Sequence, residues 1–284
     1  MTINVNSNLY SQCGVCSKVC TYSIIEPVDE MQLPRVHEGM DAICVSCGHC
    51  EAFCPSGALM LADGSNKAHE IVIPKGAISP ENLGHFLKSR RSIRTYKQTQ
   101  VPRTTIESIL DIVRYAPSGG NSQLVEWLVI HDPHVVREIA ERTIDWHREL
   151  VNSGDSMFSP YASMMVDAWD KGNDIICRGA PHMIIAHIAE NKPMTMIDAI
   201  IALTYFEIAA QAFGVGTCWV GAALLAFQEQ PSILEYLNLP KGRTPVFPML
   251  FGYPQNTPQL IPRRNFPHVT WRDDLRYVQR NWKR

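Results

Sequence analysis

Cys44-Val-Ser-Cys47-Gly-His-Cys50-Glu-Ala-Phe-Cys54-Pro55 decides how the N-terminal part of this chain must fold. Its four cysteines stand at intervals of three, three and four residues, with a proline after the last. That is the Cys-x2-Cys-x2-Cys-x3-Cys-Pro spacing with which thiolates hold iron–sulfur clusters. A zinc ribbon instead needs two separated Cys-x2-Cys pairs.

Moving outward, the same register can be laid on positions 10, 13, 16 and 20. It meets Tyr10, Cys13, Cys16 and Cys20, with Thr21 where the proline stood. Where two such runs hold two clusters, the fourth cysteine of each run ligates the cluster of the other. One cluster then takes Cys44, Cys47, Cys50 and Cys20, a complete set. The other takes Cys13, Cys16 and Cys54, and its fourth position falls on Tyr10, whose phenol is a poor substitute for a thiolate. A three-iron species, a four-iron cluster with a non-cysteine ligand and partial occupancy are all open.

The chain has 284 residues, 45 % hydrophobic and 19 % charged, with a formal net charge of −2. That is long enough for two domains and ordinary for a globular protein. No basic stripe points to nucleic acid. Residues 1–10 are polar, without the charged and apolar regions of a leader. The longest apolar stretch, Ala199 to Ala212, is interrupted by Thr204, Glu207 and Gln211 and falls short of a membrane span. These features predict a cytoplasmic protein that binds neither membrane nor nucleic acid. Seven of the nine cysteines precede residue 55, which favours metal chemistry over a disulfide framework and marks a domain. Cys177 and Cys218, isolated in apolar surroundings, read as buried small hydrophobes.

The expected organisation is a ferredoxin-like iron–sulfur domain over 1–65, a linker over 66–78 and a second domain over 79–284. Ser79 and Pro80 predict a helix start. Thr104 with Glu107 predicts a capping box opening a helix that Pro117 ends. Strands are expected at Trp127–Ile130, Met183–Ile188, Thr217–Val220 and Val246–Tyr253. A helix from Asp132-Pro133 should reach Leu150, and a buried one should run from Ile197 to Phe213, closed by Gly214. Residues 152–174 read as mixed, partly loop. The fold class is α+β, a mixed sheet flanked by helices behind a small ferredoxin-like domain.

Arg90, Arg91 and Arg94 lie within five residues, with Ser92 between them. Guanidinium forks of this kind suit a terminal phosphate. Gly214-Val-Gly216-Thr-Cys-Trp219 has tryptophan where a dinucleotide fingerprint needs glycine, and there is no Walker loop. Ala116 replaces the glycine that a Gly-x-Ser-x-Gly elbow needs. His131, His134, His182 and His187 lack carboxylate partners at metal spacing and read as structural.

Arg90-Arg-Ser-Ile-Arg-Thr-Tyr96, Ala116-Pro-Ser-Gly-Gly-Asn-Ser-Gln123, Gly214-Val-Gly-Thr-Cys-Trp-Val-Gly221, Gly252-Tyr-Pro254 and Arg263-Arg264 follow one another in that order. In this the chain resembles the FMN-dependent nitroreductase family, in the subgroup with an N-terminal ferredoxin-like domain. The resemblance implies a homodimer with one FMN at each subunit boundary. Arg90, Arg91 and Ser92 would hold the phosphate and ribityl chain, and Arg94 would face the pyrimidine edge. Pro117, Ser118, Gly119, Asn121 and Gln123 would come from the partner subunit. Trp219, Val220, Gly221 and Ala222 would lie behind the N5 edge, and Arg263 and Arg264 would add charge at the phosphate. Leu124-Val125-Glu126 replaces the Pro-Trp frequent after the glutamine, and Ala222 a frequent glycine, so the substrate pocket stays undefined.

The implied function is an iron–sulfur flavoprotein reductase. It would pass electrons from a reduced ferredoxin-like carrier or NAD(P)H through the clusters to FMN, and on to a small acceptor such as a nitroaromatic or quinone. A reductive dehalogenase, a flavin-remodelling enzyme of the same fold, and a non-enzymatic redox sensor or carrier are the alternatives. No side chain is singled out as a catalytic acid.

Overall fold

The computed structural model describes residues 3–26, 33–61, 74–154, 159–189, 193–272 and 278–280. Most of the expected linker, 66–73, lies outside them.

In the N-terminal lobe β1 (Ile3–Val5) pairs antiparallel with β2 (Leu59–Leu61), tying the two ends of the motif together. Two short helices lie between, α1 (Val15–Val19) and α2 (His49–Ala52). Each is entered through a left-handed glycine, Gly14 (φ 63°) and Gly48 (φ 73°), and each glycine follows a left-handed residue two places back, Gln12 and Ser46. The backbone thus repeats at corresponding positions when the two cysteine runs are laid in the register that includes Tyr10. Alternating left-handed residues turn successive amides to one side, a shape that receives anionic groups. Among the described residues the lobe's buried core is Cys16, Ile24, Ile25, Cys50, Ala58 and Leu59.

The larger lobe is a four-stranded sheet in the order β3 (Glu126–Ile130), β4 (His182–Ile188), β6 (Thr244–Gly252), β5 (Gly216–Trp219). Its ladders are antiparallel. The mixed character enters through one parallel bridge, Ser92 to Thr217, on the outer edge of β5. β4 is buried along its whole length because helices cover both faces. Alternation then splits its side chains. Met183 and Ile185 enter one core with α5 (Pro133–Ser153), α8 (Gly221–Glu229) and α9 (Pro231–Leu237). Ile184, Ala186 and Ile188 enter the other with α4 (Arg103–Val113) and α7 (Pro193–Ala212). Two further helices, α3 (Pro80–Ser89) and α6 (Ser159–Asp170), and a hairpin of β7 (Val269–Trp271) and β8 (Val278–Arg280) complete the described elements.

Local chemistry explains where these elements begin. The Ser79 hydroxyl accepts from Asn82 N–H, with Pro80 at the first helical position. Asp132 caps α5 by accepting from His134 N–H. The expected capping box at Thr104 does not form: Pro102 occupies the cap position without a side-chain bond, so α4 starts two residues earlier, at Arg103. Residues 159–170, expected to be partly loop, are helical. α7 begins four residues before Ile197 and, contrary to the sequence expectation, is long and apolar enough to cross a membrane. Half of that window is buried in this fold, and the helix packs on α4 and on β4, β5 and β6.

His131 and His182 stack at 4.4 Å beneath α4. Val101 N–H donates to His182 Nε2 at 2.9 Å, so the ring proton sits on Nδ1, which donates to the His131 carbonyl at 3.0 Å. His131 Nε2 donates to the Val101 carbonyl. Burial, then the neighbouring His131, push the His182 pKa down to about 4. A histidine depressed on folding stabilises fully above its unfolded pKa, near 6.5, and loses that contribution as pH falls towards 4. We therefore expect the His182 ring to remain the neutral Nδ1–H tautomer to about pH 5 in nitrogen-15 spectra. Unfolding free energy should drop by on the order of 3 kcal/mol between pH 6.5 and 4, a drop that His182→Gln removes. A ring titrating near 6.5 contradicts this account.

Candidate functional site

The arginine segment runs along the outer edge of β5. Ile93 N–H donates to the Thr217 carbonyl at 2.8 Å, and the Tyr96 hydroxyl donates to the Ile93 carbonyl at 2.7 Å. Further along, Lys97 N–H donates to the Tyr253 carbonyl and Gln255 N–H to that of Thr95. The fit against β5 needs glycine at 216: a Cβ there would lie 2.4 Å from Ile93 Cγ1 and 2.9 Å from Pro254 Cγ.

Between this segment and α7 opens a cleft of about 230 Å³, lined by Arg90, Arg91, Glu207, Gln211, Gly216 and Thr257 among others. Arg90 Nη1 is paired with Glu207 at 2.8 Å. Gln211 Nε2 donates to the Phe86 carbonyl and the Ser89 hydroxyl, fixing the end of α3. Arg91 Nη2 donates to the Lys88 carbonyl, but its Nε is closed off from solvent without a partner. Desolvation, then Arg264, then Arg90 lower the Arg91 pKa. Three guanidiniums therefore converge with one carboxylate between them, and the excess positive charge suits an anion. Arg94 is exposed and bonds only loosely to the Ser92 carbonyl, at 3.5 Å; Arg263 is exposed on the same coil as Arg264.

The Pro117–Gln123 loop lies elsewhere. Gly119 N–H donates to Asp198 Oδ1 at 3.0 Å and the Ser122 hydroxyl to Oδ2 at 3.3 Å. Gln123 N–H donates to the Ser118 hydroxyl. Pro117, Ser118, Gln123 and Asp198 line a second cleft of about 150 Å³. Both Asp198 and Glu207 are buried side chains of α7. Nine residues apart, they are separated by about 13 Å along the helix and half a turn around it. The two clefts therefore lie on opposite sides of one helix. Neither cleft reaches the ~300 Å³ at which drug-sized ligand pockets begin. α7 also shows solvent a stripe of Met194, Ile197 and Ile200, each between 38 and 58 % exposed.

At the far end of β5, Trp219 is half-buried and Val220 caps α8, with its own N–H given to the Pro248 carbonyl. Gly221 and Ala222 form the first turn of α8 rather than strand, so their amides are among the free N–H groups that open any helix. Space beside Gly221 is open.

The cysteines fall into two groups, and all nine in the chain are unbridged. Cys20, Cys44, Cys47 and Cys50 line one apolar cavity with Ile24, Ile25 and Leu61. Burial, then its thiol neighbours Cys47 and Cys44, raise the Cys50 pKa to about 11. Tyr10 sits with Cys16, Cys13 and Cys54, whose charges add to burial in raising the Tyr10 pKa; its hydroxyl is enclosed without a partner. Burial alone would raise the Cys54 thiol, but hydrogen bonds from Ser56 and the Leu59 and Ala58 amides outweigh it and lower its pKa. Cys20 thus lies with the cysteines of the second run, and Cys54 with Tyr10 and the cysteines of the first. Among the described residues no three His, Cys, Asp or Glu side chains converge as a single metal ion would require. Thiols spaced around a cavity fit a larger cluster.

Sequence reading missed several of these partners. Glu207 and Asp198 were legible as lone acids in an apolar helix. The bonds from Asn121 Nδ2 to the Val45 and Ser46 carbonyls, 3.0 and 3.1 Å, had no sequence signal. Nor had Arg178, whose charge reaches Tyr96 and Cys218 beside Arg94.

A model described as the nitroreductase family matches residues 87–253, and one described as a 4Fe-4S dicluster domain matches 11–59. The FMN reductase [NAD(P)H] of Bacillus subtilis is 27 % identical over 180 residues, covering 62 % of this chain and 68 % of that protein. The fold is shared with an FMN-bound nitroreductase from Bacteroides fragilis (TM-score 0.52, 20 % identity, 65 % of this chain and 94 % of that one). It is shared also with a BluB-like flavoprotein from Clostridium difficile (TM-score 0.53, 19 % identity, 64 % and 94 %).

Gly216→Ala is expected to push Ile93 and the arginine segment off β5. Overpacking of this kind costs about 1–3 kcal/mol. The thermal midpoint should fall, and anion binding at Arg91, followed by calorimetry, should weaken with it.

Proposed function

On the premise that this chain belongs to the nitroreductase family and carries a 4Fe-4S dicluster domain, we propose that it is an iron–sulfur flavoprotein reductase. Electrons from a reduced donor pass through 4Fe–4S-type clusters to FMN and on to a small acceptor such as a nitroaromatic or quinone. The observation that carries this reading is the pair of half-sites that one helix keeps apart. An arginine cleft with an orphaned guanidinium nitrogen faces one side, and a Pro117–Gln123 loop faces the other. Two copies joined through the exposed stripe of α7 would bring the cleft of one against the loop of the other. The chain is thus a cytoplasmic homodimer in this reading, with domains over 1–65 and 79–284.

In this arrangement Arg91, Arg264 and Arg263 take the FMN phosphate, while Arg90, oriented by Glu207, and Ser92 take the phosphate and ribityl end. Arg94 lies towards the pyrimidine edge, where a cation favours the anionic reduced ring by simple attraction. The opening amides of α8, at Gly221 and Ala222, lie towards the N5 edge behind Trp219 and Val220. Pro117, Ser118, Gly119, Asn121 and Gln123 of the partner subunit's loop close the site against water. When bound, FMN supplies the step between single electrons and the electron pair that an organic acceptor takes. Two donor classes fit: a reduced one-electron carrier protein arriving at the clusters, or NAD(P)H, named in the Bacillus subtilis relative, arriving at the flavin.

Arg91→Ala should weaken FMN binding by about 1–3 kcal/mol, the scale of a lost hydrogen bond to a charged group; unchanged binding by fluorescence titration removes Arg91 from the site. Anaerobically isolated protein should show about seven to eight irons per chain beside one FMN. About seven, with the spin-1/2 signal of an oxidised three-iron cluster, means that Tyr10 leaves one corner empty. About four irons or fewer contradicts the two-cluster reading.

A further inference from the structure

Asn121 joins the two halves of the molecule. Its Nδ2 donates to the carbonyls of both Val45 and Ser46, at 3.0 and 3.1 Å. These two residues stand between Cys44 and Cys47, inside the complete cysteine set. Two carbonyl acceptors fix which end of the amide faces them, because only the NH₂ end can donate. Asn121 and Ser46 both have φ of 53°, an arrangement that ordinary side chains adopt only when their surroundings hold them. Tyr22 of the N-terminal lobe also lies near this loop, its hydroxyl 3.6 Å from where a Cβ at Gly120 would stand. On its other side the same loop is held by Asp198 through Gly119 and Ser122. The cluster loop, the Pro117–Gln123 loop and the Asp198 face of α7 therefore form one hydrogen-bonded stack. The arginine cleft of the same chain is not part of it, since Glu207 faces the opposite side of α7.

We infer that the cluster of Cys20, Cys44, Cys47 and Cys50 hands electrons to the flavin held by the partner subunit's arginines, with Asn121 as the positioning residue between them. The inference rests on the dimeric reading proposed above and adds to it which cluster faces the flavin and which subunit's flavin it serves. Wherever the Pro117–Gln123 loop closes a flavin site, it brings its own chain's complete cluster with it. Each transfer oxidises that cluster by one electron and reduces the flavin by one. Two transfers, with protons taken from water, complete the flavin's two-electron reduction. The electrons come from a reduced iron–sulfur carrier protein, which is itself oxidised by one electron at each visit.

The test is a mixed dimer, purified through two affinity tags, of one Cys47→Ser chain and one Arg91→Ala chain. At an FMN concentration that fills the wild-type arginine cleft but not the weakened one, only the Cys47→Ser chain holds flavin, and the only intact complete cluster is in the other chain. Transfer between subunits predicts that a reduced 4Fe–4S carrier protein bleaches this flavin as fast as in the wild-type dimer. Bleaching as slow as in the Cys47→Ser homodimer overturns the inference while leaving the reductase reading in place. A chain that sediments as a monomer with FMN bound overturns both. Independently of turnover, amide exchange at residues 44–48 should quicken by about tenfold in Asn121→Ala, the scale of two lost hydrogen bonds. The isosteric Asn121→Asp, which keeps the shape and loses both donors, should match it. Wild-type exchange in both variants also overturns the role assigned to Asn121.

Discussion

Two buried carboxylates half a turn apart on α7 set the plan of the larger lobe. A carboxylate taken out of water must be paired or hydrogen-bonded, and leaving one partnerless costs about 3–5 kcal/mol. Glu207 meets this demand with Arg90, and Asp198 with the amide of Gly119 and the hydroxyl of Ser122. Each acid thereby collects one functional segment onto its own side of the helix. The remainder of α7 is apolar nearly all round. One side fills the core beneath β4 and β6, and another lies open as Met194, Ile197 and Ile200. An exposed stripe of this kind marks an interaction surface. The same helix thus separates the two clefts within a chain and, on the proposed dimeric reading, offers the face through which a second chain would bring them together.

The N-terminal lobe follows a different economy. Among its described residues the lobe buries a core of six, two of them cysteine. Small domains with so little apolar burial commonly draw folding free energy from a bound metal group, a role the proposed clusters would fill. The left-handed turns at Gln12, Gly14, Ser46 and Gly48 fit that dependence, since they arrange amides around the thiols at some conformational cost. Tyr10 is where the two halves of the motif differ. Its enclosed hydroxyl, unpartnered among Cys13, Cys16 and Cys54, occupies the place of the fourth thiolate.

How much of this was legible in the sequence tracks the range of the interaction involved. Cluster ligation demands cysteines at fixed local intervals, so the run from Cys44 to Pro55 and its partial copy could be read directly. β4 was legible because burial on both faces leaves a run from Met183 to Ile188 that is apolar but for His187. Short-range signals misled where a neighbour pre-empted them. Pro102 took the cap position that Thr104 and Glu107 suggested, and Gly221 to Glu229, a mostly apolar stretch following a strand, hid a helix with little amphipathic contrast. The half-site geometry and the Asn121 bridge were illegible for another reason. Asn121 lies 76 and 75 residues from its two acceptors, and nothing local distinguishes an asparagine that bonds a flavin from one that bonds a cluster loop.

The bridge also ties electron delivery to assembly. If each flavin needs the arginines of one chain and the loop of the other, flavin binding and dimerisation stabilise each other by mass action. The Val45–Ser46 segment is fastened to the Pro117–Gln123 loop and not to the arginine cleft, so on the proposed reading the cluster there would reach a flavin only when a second chain is in place. An isolated chain would then hold a reducible cluster without its acceptor, and an arginine cleft without its electron source. On that reading the two parts, set on opposite sides of α7, would make the dimer the smallest unit in which an electron has somewhere to go.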